Sequence, residues 1–510
     1  MNKWKVALAG AVAAALALTG CAGGTSSSGS SSAAPGGTLT LGLITQATTF
    51  SAQDANWANE SPYMQAVYDT LLHANADGTI VPWLATEWTY DSTLTKLTLK
   101  LRTDVKFSDG EAFTADAAAQ NLKRFRDGAS PNKGLLAQVS DAKAVDASTL
   151  EIDLKAADPS LLVSLTQNAG LQESPKAFTA SDIKTNPIGS GPYTLDTKNT
   201  VPGSSYTFVK NPSYFSLSTV KYDKVVMTVF SDVNSMLNAI KGGQVNAANL
   251  LDNSTVDQVK AAGYTINPQE LDWTGLILLD RDGKIAPQLK DVRVRQAISY
   301  AFDREALLKA IDKGYGTVSE QIFPKSSPAY DAALDTTYTY DVAKAKQLLS
   351  DAGYGGGFEL SMPSSTLVPS TTWSIIASQL KDVGITVKYT DAGNNFISDM
   401  LGAKYPATWM RLQEDPTDWQ IANFELTPTA VFNPFKTSDD KVNAWVKTIQ
   451  TGSDADAKAA SKSLNAYVVQ QAWYVPWYRV QSSFATDAKT SVKVQVGNAY
   501  PYRYNFTPKS

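Results

Sequence analysis

The chain has 510 residues, more than one hydrophobic core usually serves, so two or three lobes are expected. Hydrophobic residues at 43% and charged residues at 18% describe a soluble globular protein, neither disordered nor membrane-embedded. A net charge of −4 gives no electrostatic reason to bind nucleic acid. One cysteine and one histidine exclude an intrachain disulfide and a zinc site of the usual ligand types, and no cofactor is expected. A Ser-His-Asp triad would have to use His73, which lies in the apolar run Tyr68–His73, where a packed structural role is expected.

At the N-terminus, Lys3 and Lys5 precede Val6–Leu18, an unbroken run of 13 apolar or small residues. That is the core of a secretion signal, too short to span a bilayer of ~30 Å as a helix. Leu18-Thr19-Gly20-Cys21 resembles a bacterial lipobox, which makes Cys21 the lipidation site and residues 1–20 a lipoprotein signal peptide. Residues 21–37 are then the lipidated cysteine and a flexible linker rich in Gly and Ser. Two or more acyl chains hold a protein stably, so the mature protein is expected on the outer face of the cell membrane, anchored and not spanning.

The body opens with Thr38–Leu43, which alternates like a strand, followed by a helix-like segment from Ser61 to Leu72. Asp77-Gly78 and Asp109-Gly110 are turn formers around extended stretches at Ile80–Pro82 and Leu97–Arg102. Thr114 or Asp116 opens a helix through Leu122 and Phe125. Short strand, turn and helix units of this kind build an α+β lobe. Further on, Asp291 can cap a helix whose apolar face carries Val294, Ile298, Ala301, Phe302, Leu308 and Ile311, with Gly314 as its stop. Asp341 caps another through Leu348, Leu349 and Ala352, and Trp473–Tyr478 is an extended segment near the C-terminus.

Several of these strings occur together in one family. Asp291–Leu307, DVRVRQAISYAFDREAL, resembles the signature of the family 5 solute-binding proteins of ABC importers. Tyr68–Leu72, Asp77–Ala85, Leu101–Gly110 and Thr114–Asp116 follow the order of the family's Y-D-x-L-L, D-G-x-I-x-P-x-L-A, L-R-x-D-V-K-F-x-D-G and T-A-x-D elements. Asn186–Tyr193 is similar to its P-x-G-x-G-P-Y crossing, and Asn211–Phe215 to its N-P-x-Y-[WF] element.

The resemblance implies an α/β (α+β), bilobal, periplasmic-binding-protein-like fold with an additional lobe, hinge-linked. Lobe I is expected to comprise residues 38–55, 189–268 and 484–510, the additional lobe II residues 56–188, and lobe III residues 269–483. It also implies a receptor that captures a small solute, peptide-like in the first instance, between two lobes and hands it to the ABC permease membrane subunits. Such a receptor needs no covalent chemistry and is expected to act as a monomer. Hinge closure is expected about the crossing near Gly189 and the return at 411–419.

Ligand residues are sought among aromatics and charges near the lobe edges. Trp273 precedes a strand at the lobe junction, and Trp409–Trp419 matches the return to the hinge, so the expected set is Trp273, Trp409, Arg411, Leu412, Gln413, Glu414, Asp415, Asp418 and Trp419. Peptide-binding members of the family hold the peptide's amino group with an aspartate in a D-x-x-[DE]-P motif, and here Leu412 stands in that position. Either Glu414 or Asp418 supplies the carboxylate from a shifted register, or the solute is an aromatic or other non-peptide organic acid. Two other classes fare worse. A surface-anchored hydrolase lacks GxSxG and the S-D-N and K-T-G partners of S-x-x-K. A surface lipoprotein that binds protein or glycan without transport often carries repeats or disulfides, and the chain has neither.

Overall fold

The computed structural model describes residues 36–509 apart from 231, 251, 366 and 367; the signal peptide and Cys21 lie outside the described residues. Nine strands of the described chain form one sheet. They are β1 (Thr38–Leu43), β2 (Tyr193–Leu195), β3 (Ser205–Lys210), β4 (Lys224–Val229), β5 (Ala247–Leu250), β6 (Thr265–Leu278), β7 (Gly316–Val318), β8 (Ala407–Gln413) and β9 (Tyr474–Thr486). Their order is β8-β6-β9-β5-β1-β4-β3-β2, with β7 added along β9. β1 pairs parallel to β4 and β5, and the other neighbours are antiparallel.

Two strands are much longer than the rest. β6 and β9 pair antiparallel from Thr265–Thr486 to Ile277–Tyr474, about 40 Å of continuous ladder at ~3.4 Å per residue. One end of this ribbon enters the apolar core around Leu41, Phe208, Val225 and Phe484. Its other end enters the largest core, which gathers Trp273, Leu276, Ile298, Leu380 and Trp477. β9 contributes to both cores, Phe484 to the first and Tyr474, Val475 and Trp477 to the second, and β6 is hydrogen-bonded along it. The Gly189 turn sits elsewhere: a Cβ there would lie 2.1 Å from the Val67 carbonyl oxygen, so only glycine lets the two backbones approach.

A third core lies under a four-stranded antiparallel sheet, Ala85–Tyr90, Lys96–Leu101, Thr149–Leu154 and Val139–Asp146, covered by the helix Ala115–Asp127. Alternation in Lys96–Leu101 points Leu97, Leu99 and Leu101 inward. Thr114 caps the helix, its hydroxyl accepting the Ala117 amide at 3.2 Å. The expected helix from Ser61 ends earlier, at Val67, and Leu72–Ala74 is a short strand against Ile80–Pro82.

The run from Asp291 is two helices, α1 (Val292–Tyr300) and α2 (Arg304–Asp312), where periodicity alone suggests one. Asp303 breaks it by capping α2, accepting the Ala306 amide at 2.9 Å. Buried Arg304 holds the corner, donating to Ser299, Tyr338 and Pro476 carbonyls. Lys313 takes the left-handed turn at φ 58°, and Gly314 follows at φ 86°. His73 is buried and stacked between Trp83 and Tyr504, with ring centroids 3.8 and 4.5 Å away. Burial holds its pKa well below the ordinary value, which fits a neutral packing residue.

Candidate functional site

β8 lies beside β6 in a register that sets Asp272 opposite Gln413, Trp273 opposite Leu412 and Thr274 opposite Arg411. Successive side chains of a strand face opposite ways, so Met410 and Leu412 go inward while Arg411 and Gln413 go outward. Leu412, 8% exposed, belongs to the largest core and offers a ligand nothing polar. Trp273 is 1% exposed and packs edge-on to Tyr474 at 5.8 Å. Trp409 packs on Trp373 at 5.9 Å. None of these three lines the cavities described below.

The β6–β9 ladder shifts register between Glu270 and Asp272, leaving Leu271 as an extra residue. A bulge of this type bends the strand and re-aims its side chains. Two cavities open on the two sides of Leu271 and share it as a wall.

The first, about 250 Å³, lies between Gln269–Leu271, Pro324–Ser326, Glu414–Pro416 and the C-terminal turn Val494–Gly497. Its charges are mostly committed. Glu414 is ion-paired with Arg479 of β9, which is fully buried and donates further to the Gln321 and Phe323 carbonyls. Glu270 is paired with Lys325 at 3.3 Å and accepts from the Thr317 hydroxyl. Asp415 is the exception, since its carboxylate has no hydrogen-bond partner among the described residues. Burial pushes its carboxyl up to about 6.

Behind it stands Glu425, 4% exposed, whose carboxyl is pushed up to about 8 by burial and then by the charge of Asp415. Asp418 does not reach this cavity. It starts the short helix Asp418–Ile421, accepts the Ser327 hydroxyl at 2.5 Å, and burial raises its pKa. Neither Glu414 nor Asp418 therefore supplies a free carboxylate in place of Leu412.

The second cavity, about 210 Å³, is walled by Asn249, Asn253, Asp272, Arg411, Gln413 and Gln481 among others. Arg411 Nε donates to Asp272 at 2.8 Å, while its two terminal nitrogens make no hydrogen bond among the described residues. Trp419 lines neither cavity; it borders a third, between Ser160 and Phe424. Sequence reasoning missed Leu271, Glu270 and Arg479. No local signal marks them, because each acts through a partner distant in the chain.

The family model for bacterial extracellular solute-binding proteins, family 5 (middle), matches residues 79–441. The chain belongs to this family. Family 5 proteins are extracytoplasmic receptors of ABC importers, and no helix among the described residues is long and apolar enough to cross a membrane. The glutathione-binding protein GsiB of Escherichia coli K12 is 26% identical over 459 residues, 84% of this chain and 86% of its own. Two solved structures share the fold. HbpA2 of Haemophilus parasuis has a TM-score of 0.83 at 21% identity, covering 93% of this chain and all of its own. NikA of Brucella suis, solved with Fe(III)-EDTA, has a TM-score of 0.79 at 22% identity and the same coverage. The β6–β9 ribbon and its flanking cavities thus belong to a family 5 binding protein.

Proposed function

We propose that this family 5 protein is a lipid-anchored receptor that captures a peptide-like, zwitterionic solute beside β6 and delivers it to an ABC permease. The observation that carries the reading is the pair of uncommitted charges on either side of Leu271. Asp415 offers a carboxylate to an ammonium group in one cavity, and Arg411 offers a guanidinium edge to a carboxylate in the other. Apolar Leu271, Pro324, Pro416 and Val494 suit the aliphatic part between the charged ends. Binding in this reading draws the two cores together by flexing β6 and β9, and no covalent step is required of the protein. That the E. coli relative is named for glutathione fits a solute of this kind.

Calorimetry with di- and tripeptides, each also N-acetylated and C-amidated, tests the proposal. Micromolar binding of the free peptide, weakened at least tenfold by either cap, is the expected result. Tight binding of doubly capped peptides, or none at all, would overturn it. A second reading, a non-peptide organic acid, is favoured by Leu412 in the position where an amino-anchoring carboxylate would stand. It predicts that carboxylates lacking an amino group bind through Arg411 and ignore Asp415→Asn. Small-angle scattering tests closure, which requires a smaller radius of gyration with saturating ligand. For the anchor, Cys21→Ser should release the protein from the membrane with ligand binding intact.

A further inference from the structure

A fourth cavity, about 20 Å³, lies apart from the other three, between residues 57–73 and the C-terminal residues Tyr502–Tyr504. Four of its lining residues each carry a buried polar atom with no hydrogen-bond partner among the described residues: Trp57 Nε1, Gln65 Nε2, Arg503 Nε and Asp69 Oδ2. Three of these are N–H donors and the fourth is a carboxylate oxygen. Leaving even one such atom unpaired in the interior is costly, so four around one small space point to an occupant.

The rest of Asp69 is committed. The residue is 3% exposed, and its Oδ1 accepts from Trp83 Nε1 and from the Tyr214 hydroxyl, both at 2.9 Å. Burial pushes the Asp69 carboxyl up to about 7, and the charge of Arg503 is among the groups that pull it back. Arg503 is therefore near, yet no direct ion pair joins the two among the described residues.

The four atoms select what can sit between them. An ammonium or metal cation cannot accept from three N–H groups, and a halide cannot donate to a carboxylate. Water does both, and one water needs about 10–15 Å³ on this measure, so the space suits one.

Arg503 belongs to a C-terminal strap that reaches the first cavity. Its amide donates to Gln65 Oε1 at 2.9 Å, and the Tyr504 hydroxyl donates to the Ala74 carbonyl at 2.6 Å. Asn505 Nδ2 donates to Gln495 Oε1 at 3.0 Å, and Gln495 Nε2 to the Asn75 carbonyl at 2.7 Å. The Val496 amide donates to the Ala76 carbonyl at 3.0 Å, while Val494, Val496 and Gly497 line the first cavity.

We propose that the fourth cavity is a water site, whose water bridges Arg503 to Asp69 and latches the C-terminal strap where its Val494–Gly497 end walls the first cavity. Release of the latch would move that wall, whatever solute the cavity takes.

Both halves are tested on the full mature chain. The first test is a crystal structure fine enough to show ordered water, repeated after a bromide soak. A peak about 3 Å from both Asp69 Oδ2 and Arg503 Nε, without bromide anomalous signal, is the expected result. Direct contact of Arg503 with Asp69 and no peak between them would overturn the proposal, as would a bromide peak at the site. The second test is hydrogen exchange followed by mass spectrometry. Arg503→Met should speed exchange at residues 495–498 by about tenfold or more, and Trp57→Phe, which removes one donor, should speed it less. Residues 205–229 should exchange at the wild-type rate in both, since they lie outside the strap. The melting temperature checks that each variant folds, and if Arg503→Met does not, Trp57→Phe decides alone. Unchanged exchange at 495–498 would overturn the latch, and equal acceleration at 205–229 would show general loosening and overturn it too.

Discussion

The two cavities that meet at Leu271 share a strand and differ in their walls. One is bounded by prolines, valines and leucine and keeps a single uncommitted carboxylate, Asp415. Its neighbour is bounded by carboxamides and keeps a single uncommitted guanidinium edge, Arg411. A charge counts towards recognition only when the fold has not already spent it. Glu414 and Asp415 are adjacent in sequence, yet one is consumed by buried Arg479 and the other is not. Their difference is decided on β9, not on β8.

The comparison can be broken most severely at that shared support. Glu414→Gln would leave Arg479 buried with its carbonyl acceptors but no counter-charge, a loss of about 3 kcal/mol or more. The denaturation midpoint should fall accordingly, and binding in both cavities should weaken, since Arg479 also holds the 321–323 loop. An unchanged midpoint would show that Glu414 is as free as Asp415.

Next in size is the pH dependence set by Glu425. Its carboxyl rises from the ordinary 4.5 to about 8 in the fold, chiefly through burial. Between those values the unfolded chain has released a proton that the folded protein keeps. Stability of the ligand-free protein should therefore fall as pH rises from about 4.5 to about 8, and level off above. Glu425→Gln should flatten that slope in chemical denaturation series at several pH values. A slope unaffected by the substitution would remove Glu425 from the account.

Asp415→Asn should weaken ligands carrying an ammonium group about 10- to 100-fold, the worth of one charged hydrogen bond, while neutral analogues bind as before. With the wild-type carboxyl near 6, ammonium affinity should climb from pH 5 to 7 and then plateau. A flat profile in calorimetry would place the cation elsewhere.

Smallest is Arg411→Gln. Its ion pair with Asp272 is well exposed, so stability should change by no more than about 0.5 kcal/mol. Ligands with a carboxylate should lose about tenfold in affinity and their amides should lose nothing. Equal losses for both would mean that the guanidinium edge is not read by charge.

Much of the local structure was legible in the chain. Thr114, Asp291 and Asp341 cap the helices their positions suggest, because a cap needs only the amides of the next turn. The alternation Met410-Arg411-Leu412-Gln413 already assigns Arg411 and Gln413 to one face and Leu412 to the other. The single helix expected from Asp291 was misread for a related reason. Periodicity runs straight through Ala301 and Phe302, and only the cap at Asp303 and the buried bonds of Arg304 show the corner.

The sequence by itself determined the family, the caps and the faces of the strands, all of which depend on neighbours within a few residues. Tertiary structure alone decided which carboxylate is free, which tryptophans are core, and that Leu271 separates two cavities. Those outcomes rest on Arg479 meeting Glu414 from 65 residues away, and on β9 pairing with β6 one residue out of step. Pairing across such distances is set by how whole strands dock, and no window of local sequence carries it.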